Sequence, residues 1–264
     1  MNQNPPEPNQ RIEIDNSVIE GQLGQAGRDL RQFQFIFGKR KSKILDPRDR
    51  QVLLDRVSNF WIKGALEEIS RDRPPIEPEL QERLDLLEQS WGMVYETPDQ
   101  LRQLLPPNTR IIELFDELGE GGTLLILGKP NSGKSRILLE LARDLINRAN
   151  SNLESPLPVI FKLSSWGGSS RSIADWVIQE LQKKYWLSKA VSQILLENEC
   201  LLLLLDDLDK VQSERRALCV QALNQFIRKY GKIEIIVCSC INEYEVLSKK
   251  LSFQRAIYIK PKTL

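Results

Sequence analysis

Apolar and polar positions change rhythm along the chain. From Gly121 onward, short apolar runs alternate with amphipathic stretches: TLLILG, a helix from Lys134 to Ala149, PVIFKL, helices between Ser172 and Glu197, LLLLLD, a helix from Ser213 to Tyr230, IEIIVCS and AIYI. The strand-like runs are apolar at nearly every position, the pattern of strands buried on both faces. Strand and helix runs in alternation predict an α/β fold, a parallel five-stranded sheet with helices on both sides. No internal repeat interrupts it.

The first hundred residues read differently. Residues 1–10 carry three prolines and polar amides with nothing to bury, and are expected to be disordered. Between Arg11 and Phe37 the apolar points Ile12, Ile14, Val18, Ile19 and Leu23 occur in a segment with three glycines and four glutamines, which predicts short strands with Gly turns. The run KRKSK, Lys39 to Lys43, reads as a solvated linker. A helix then starts at Asp46, a capping residue, with Pro47 at its first position. Leu53, Val57, Phe60, Trp61, Ala65 and Ile69 recur on one face. After the Pro-rich break RDRPPIEPEL, the spacing of Leu80, Leu84, Leu87 and Trp91 predicts a second amphipathic helix that pairs with the first as a hairpin. The expected organisation is an N-terminal arm over 1–45, a helical linker over 46–105 and the α/β domain over 106–264.

GKPNSGKS, Gly128 to Ser135, fits G-x-x-x-x-G-K-[ST] and lies between an apolar strand and an amphipathic helix. Such a loop wraps phosphate with successive backbone N–H groups and the positive end of a helix. Its residues Gly128, Lys129, Pro130, Asn131, Ser132, Gly133, Lys134, Ser135 and Arg136 are the candidate nucleotide contacts. Lys134 would reach the β- and γ-phosphates, and Ser135 would ligate Mg²⁺. LLLLLDD, Leu201 to Asp207, supplies the complement, a buried strand ending in carboxylates at the edge where open α/β sheets bind ligands. Asp206 is the expected Mg²⁺ partner. The stretch around Arg110 to Ile112 is a candidate for base contacts.

Composition narrows the chemistry. The chain has no histidine, which removes His-based acid/base catalysis, a Ser-His-Asp triad and the commonest metal ligand. Lys and Arg number 37 against 36 Asp and Glu, so no long-range field draws the chain to nucleic acid or to an acidic membrane. Of the four cysteines, Cys200, Cys219, Cys238 and Cys240, three lie in or beside apolar runs where Cys packs as a small hydrophobe. They form neither a disulfide framework nor a closed four-ligand zinc site. The N-terminus carries no apolar leader and no run is long enough to span a membrane, so the expected location is the cytoplasm.

The runs FKLSSW, SIADWVIQELQKKY, ENECLLLLLDDLDKV, RRALCVQALNQF and IEIIVCSCINEYEVL, with RQVLLDRVSNFWIKGALE and FDELGEGGTLLILGKP upstream, resemble NACHT-domain P-loop NTPases. They are most similar to the cyanobacterial signal-transduction ATPases with numerous domains. The resemblance covers about Asp46 to the C-terminus. It implies a three-layer P-loop fold, ATP (with GTP the lesser alternative) and Mg²⁺ as ligands, and a nucleotide-dependent switch. In relatives such a switch exchanges ADP for ATP, oligomerises and activates an effector, so a homo-oligomer or a related signalling protein is the implied partner.

The chain departs from the family pattern in four places, three residues and its C-terminal end. Lys210 stands where a glutamate is usual, and a charged lysine cannot accept a proton from water. Asp207 lies where related plant-type switches carry a second aspartate, and is the candidate catalytic base. Cys240 replaces the arginine that senses the terminal phosphate. Arg136 follows Ser135 where Thr or Ser is common. The chain also ends just after its last expected strand, which on this comparison implies a C-terminally truncated relative without the closing lid. Two functions stay open: a slow ATPase switch, and a non-hydrolysing binding or assembly module. The segment VIEGQLGQAGRDLRQ is more loosely similar to amyloid-type signalling motifs of bacterial switch proteins. A plain hairpin or arm is the other reading.

Overall fold

The computed structural model describes residues 10–14, 17–21, 45–72, 78–88, 101–167 and 172–260. The chain divides into two units, 1–42 and 43–264. In the first, strands β1 (Gln10–Ile14) and β2 (Ser17–Gly21) pair antiparallel, with Ile12 opposite Ile19 and Arg11 opposite Glu20. Short strands are thus present where the β-branched residues are densest. The rest of the Gln/Gly-rich segment, from residue 22 on, lies outside the described residues.

The second unit opens with helix α1 (Pro47–Val57), whose Asp46 cap accepts the Arg48 N–H at 2.8 Å with Pro47 in the first turn. The helix continues through a π-helical stretch, Ser58–Leu66, into α2 (Glu67–Asp72). In a π-helix the N–H bonds back five residues, as Glu67 does to Ile62. The wider turn re-aims the apolar face. Leu53, Leu54, Val57, Trp61 and Leu66 are buried, while Phe60, expected on the buried face, is half exposed. Arg50 reaches out of α1 to donate to the carbonyls of Ala149, Asn152 and Ser155 at 2.9, 3.0 and 3.0 Å. A single guanidinium so caps the carbonyl end of a neighbouring helix.

Strands β3 (Glu79–Arg83) and β4 (Arg102–Leu104) and the short helix α3 (Ile111–Asp116) come next. They lead into β5 (Thr123–Gly128), α4 (Lys134–Ser151), β6 (Leu157–Lys162), α5 (Ile173–Tyr185), α6 (Lys189–Glu197), β7 (Leu201–Asp206), α7 (Ser213–Lys229), β8 (Glu234–Cys240), α8 (Ile241–Glu245) and β9 (Arg255–Lys260). Ser172 caps α5 by accepting the Asp175 N–H at 3.1 Å, and Ser188 caps α6 by accepting that of Val191 at 3.2 Å. The sheet runs β4-β3-β9-β5-β8-β7-β6, and β9 to β6 are parallel. Leu124 to Leu127 on β5, Leu201 to Leu205 on β7 and Ile235 to Cys238 on β8 are buried, the core of the unit.

The sheet has seven strands, not the five expected. Residues 79–83, expected in a second helix, instead lie antiparallel to β9 with Leu80 opposite Ile259. The leucine spacing is compatible with a helix, but β9 would otherwise be an unpaired edge beside the buried β5, and its open N–H and C=O groups decide the outcome. Arg83, buried at the end of β3, forks onto Asp85 at 2.8 and 3.0 Å and reaches Glu245 at 3.0 Å, which ties the added strands to α8.

At the other edge, both backbone groups of Ile160 in β6 are closed by one side chain. The Tyr185 hydroxyl donates to Ile160 O at 3.0 Å and accepts from Ile160 N at 3.1 Å and from Trp61 Nε1 at 3.0 Å. Sheet edge, α5 and π-helical stretch meet at a single buried oxygen.

Connections leaving neighbouring strands β5 and β8 diverge. The chain after β5 crosses to β6 at the far edge, whereas the chain after β8 crosses β5 to reach β9. Strands whose connections part in this way open a crevice at their carboxyl ends, where ligands of open α/β sheets bind.

Two outcomes follow for stability. Tyr185→Phe leaves three buried polar groups unpaired and should destabilise the chain by about 2–3 kcal/mol in urea unfolding; an unchanged midpoint would show that the edge needs no such closure. Glu234, at the start of β8, is pushed up to about 7, first by burial and then by Asp116 and Glu120 against the pull of Arg148. A carboxyl raised above its ordinary 4.5 stabilises the fold while protonated and loses that contribution as pH rises through 7. Glu234→Gln should therefore melt with the parent at pH ~4 and above it at pH ~8, by on the order of 1 kcal/mol after solvent screening. A constant difference across this range would refute the assignment.

Candidate functional site

The loop between β5 and α4 is shaped by its glycines. Gly133 sits in the left-handed region at φ 89°, as the residue that starts α4. A Cβ on Gly128 would stand 2.2 Å from the Ser132 Oγ and 3.2 Å from the Lys134 Cγ, so any larger residue would have to turn the Ser132 hydroxyl aside. Asn131 is also left-handed at φ 61°, a conformation Asn tolerates, and the Ser132 N–H closes the turn on Lys129 O at 3.2 Å. The Lys134 ammonium donates to Gly128 O at 3.1 Å and Lys129 O at 2.8 Å, so the chain curls around its own cation. Since the first helical bond runs from Ile137 N to Gly133 O, the preceding N–H groups of α4 are without intrahelical partners at the loop.

Strand β7 delivers the carboxylates. Burial and the neighbouring Asp207 push Asp206 above the usual carboxylate range, while a hydrogen bond from Ser135 and the Asp207 N–H, at 2.8 Å, draw it back. Asp207 is left-handed at φ 64° and opens a tight turn over Leu208–Lys210. Its carboxylate is buried. Lys210 Nζ stands 2.6 Å from one oxygen and Lys162 Nζ 3.6 Å from the other. Two residues on, Asp209 Oδ1 accepts the Cys240 N–H at 2.9 Å and locks the end of β7 to that of β8. Arg216 on α7 donates to Asp209 O and, at 3.1 Å, to Val211 O, bracing the turn from behind.

Together these elements bound a cavity of about 520 Å³. Pro130, Asn131, Ser132, Gly133, Lys134, Ser135 and Arg136 from the loop line it with Asp206 and Asp207 from β7. Of the sequence-derived site residues, Gly128 and Lys129 do not line it, and their carbonyls hold the Lys134 ammonium instead. The stretch 110–112 does not line this cavity, and Arg110 pairs instead with Asp144 at 2.8 Å.

No protein-family model matches the chain, and no curated protein matches its sequence.

Three lining residues were not legible as site residues: Ile69, Asp209 and Glu243. Asp209 sits in DDLDK, where its alternation with Asp207 was the available signal. Glu243 takes a hydrogen bond from the Cys240 thiol, which holds its carboxyl below the usual range, and burial with that same contact raises the thiol. Ile69 arrives from α2 by way of the π-helical stretch, whose register no local pattern announces. Cys240 itself lines the cavity, so a neutral side chain does stand there.

The polar inventory fits an anion bound together with a cation. Lys134, Arg136 and Lys210 face Asp206, Asp207, Asp209 and Glu243, an excess of carboxylate that would repel phosphate without a metal. Among the described residues no three acidic or thiol groups could hold a metal unaided. Mg²⁺ suits such a place, since it is held by one or two carboxylates plus phosphate oxygens and water. Ser132 Oγ and Glu243 Oε2 are buried with no hydrogen-bond partner among the described residues, two further groups a polar ligand would satisfy.

Asp209→Ala would release the Cys240 N–H. Hydrogen exchange at that amide should accelerate at least about tenfold while the centre of β8 stays protected; unaltered exchange would mean the two strand ends are joined by something else.

Proposed function

We propose that residues 121–260 bind a nucleoside triphosphate with Mg²⁺, and that the chain works as a NACHT-type P-loop signalling module, a nucleotide-dependent switch with slow turnover. The convergence of Lys134, Ser135 and Asp206 around the glycine loop supports this reading most strongly. The loop N–H groups and Lys134 would hold phosphate oxygens, Ser135 and Asp206 would hold the metal, and Asn131 to Gly133 would shape the cradle. The metal supplies charge neutralisation for the terminal phosphate. ATP is preferred to GTP on the family resemblance, which also carries the expectation of a homo-oligomer or a related signalling protein as partner.

Slow turnover follows from Asp207. Lys210 stands 2.6 Å from one Asp207 oxygen and Lys162 3.6 Å from the other, so an attacking water reaches this carboxylate as its base only when Lys210 moves aside. The same ion pair favours a second reading, a binding or assembly module that does not hydrolyse.

Binding of a fluorescent ATP analogue with Mg²⁺ tests the proposal on the parent and Lys134→Ala, with circular dichroism to verify folding. Saturable binding that weakens at least about tenfold in the variant is expected. A folded parent that binds nothing would overturn the phosphate site. Phosphate release abolished by Asp207→Asn supports the switch; no release from either protein supports the binding module.

A further inference from the structure

Among the described residues three cations line the cavity, and they are not equally available. The Lys134 ammonium is spent on the Gly128 and Lys129 carbonyls. Arg136 is buried and paired with Glu140 at 2.9 Å. Lys210 is different: its side chain is 63% exposed, it hangs from the end of a three-residue turn, and its partner is Asp207 at 2.6 Å. Removing a counter-ion from a buried carboxylate is normally costly. Here the cost is reduced in advance, because Lys162 already stands 3.6 Å from the other Asp207 oxygen.

Lys210 can therefore leave Asp207 without stranding it. Its place is on the 206–210 wall, beside the metal-holding Asp206 rather than in the loop that cradles the inner phosphates. With the inner phosphates at the N-terminus of α4, as proposed above, an anion reaching that wall would be the outermost phosphate.

Resting on the phosphate-site reading above, we infer that Lys210 is the residue that distinguishes a triphosphate from a diphosphate. It moves from Asp207 to the terminal phosphate while Lys162 takes over Asp207. The position of Cys240 on the same cavity makes this substitution of roles intelligible, since a neutral thiol gives a terminal phosphate no charge to meet. The pair Lys210–Asp207 is then the diphosphate-state contact, and its opening is coupled to the third phosphate.

Isothermal titration of a non-hydrolysable ATP analogue and of ADP, each with Mg²⁺ at fixed ionic strength, tests this on the parent, Lys210→Met, Lys210→Arg and Lys162→Met. Lys210→Met should lose about tenfold to a hundredfold in affinity for the triphosphate, the range of one charge-assisted hydrogen bond, and less than about twofold for ADP. Lys210→Arg should recover most of the loss. Lys162→Met should also weaken the triphosphate selectively, because Asp207 then retains Lys210. Equal losses for both nucleotides, or no loss in Lys210→Met, would overturn the inference while leaving the phosphate site intact. A parent that binds neither nucleotide would overturn the phosphate site itself, and this inference with it.

Discussion

Asp206 and Asp207 leave the end of β7, whose five leucines are buried, and adjacent carboxylates in such a setting repel each other with little screening. Each must be answered by a polar group from elsewhere in the fold. Ser135 from the start of α4 answers Asp206, Lys162 from the end of β6 and Lys210 from the following turn answer Asp207, and the turn itself is fastened to β8 through Asp209 and Cys240. Three strand ends and one helix start are thereby drawn to one point. The arrangement at the carboxyl edge of the sheet is a solution to that charge problem, and the cavity is what the solution leaves open.

A second set of contacts carries the N-terminal helical segment to the same place. Arg50 holds the carbonyl end of α4, Trp61 hydrogen-bonds the tyrosine that closes β6, and Ile69 lines the cavity at the other end of that helix. The 47–72 segment thus touches both ends of α4's environment, its C-terminal carbonyls and the loop at its N-terminus. The π-helical stretch between these contacts sets the angle at which Ile69 arrives. One residue more or less per turn there would rotate Ile69 away from the cavity and Trp61 away from Tyr185 together.

The parallel strands were legible because burial on both faces demands continuous apolar runs, and the glycine loop because Gly128, Gly133, Lys134 and Ser135 keep the phosphate-loop spacing between a strand and a helix. Capping was equally plain at Asp46. What failed was whatever depends on a partner distant in sequence. ELQER contains nothing that favours a strand, and becomes one only because β9 needs pairing. Phe60 obeyed the helical period and was turned outward by a π-helical register that the period does not encode. The ion pairs of Asp207 are the most consequential omission. From the sequence Lys210 reads as a lost glutamate, whereas in space it is a cation brought to a carboxylate that would otherwise be buried with Lys162 alone.

Lys134 shows how far the loop is organised by the chain itself. Its ammonium already holds two loop carbonyls, so the curvature that a phosphate cradle requires is made from within, and binding need not order a flexible segment. The same bonds must be shared or exchanged when a phosphate oxygen competes for that ammonium. Preorganisation and competition act in opposite directions on affinity, and the balance falls to groups that the chain has left less committed. Ser132 Oγ has no partner among the described residues to give up, and Lys210 has an understudy for the partner it would leave. Discrimination between ligands is therefore expected to arise less from the loop, which is settled, than from the 206–210 turn, whose charges have two ways of being satisfied.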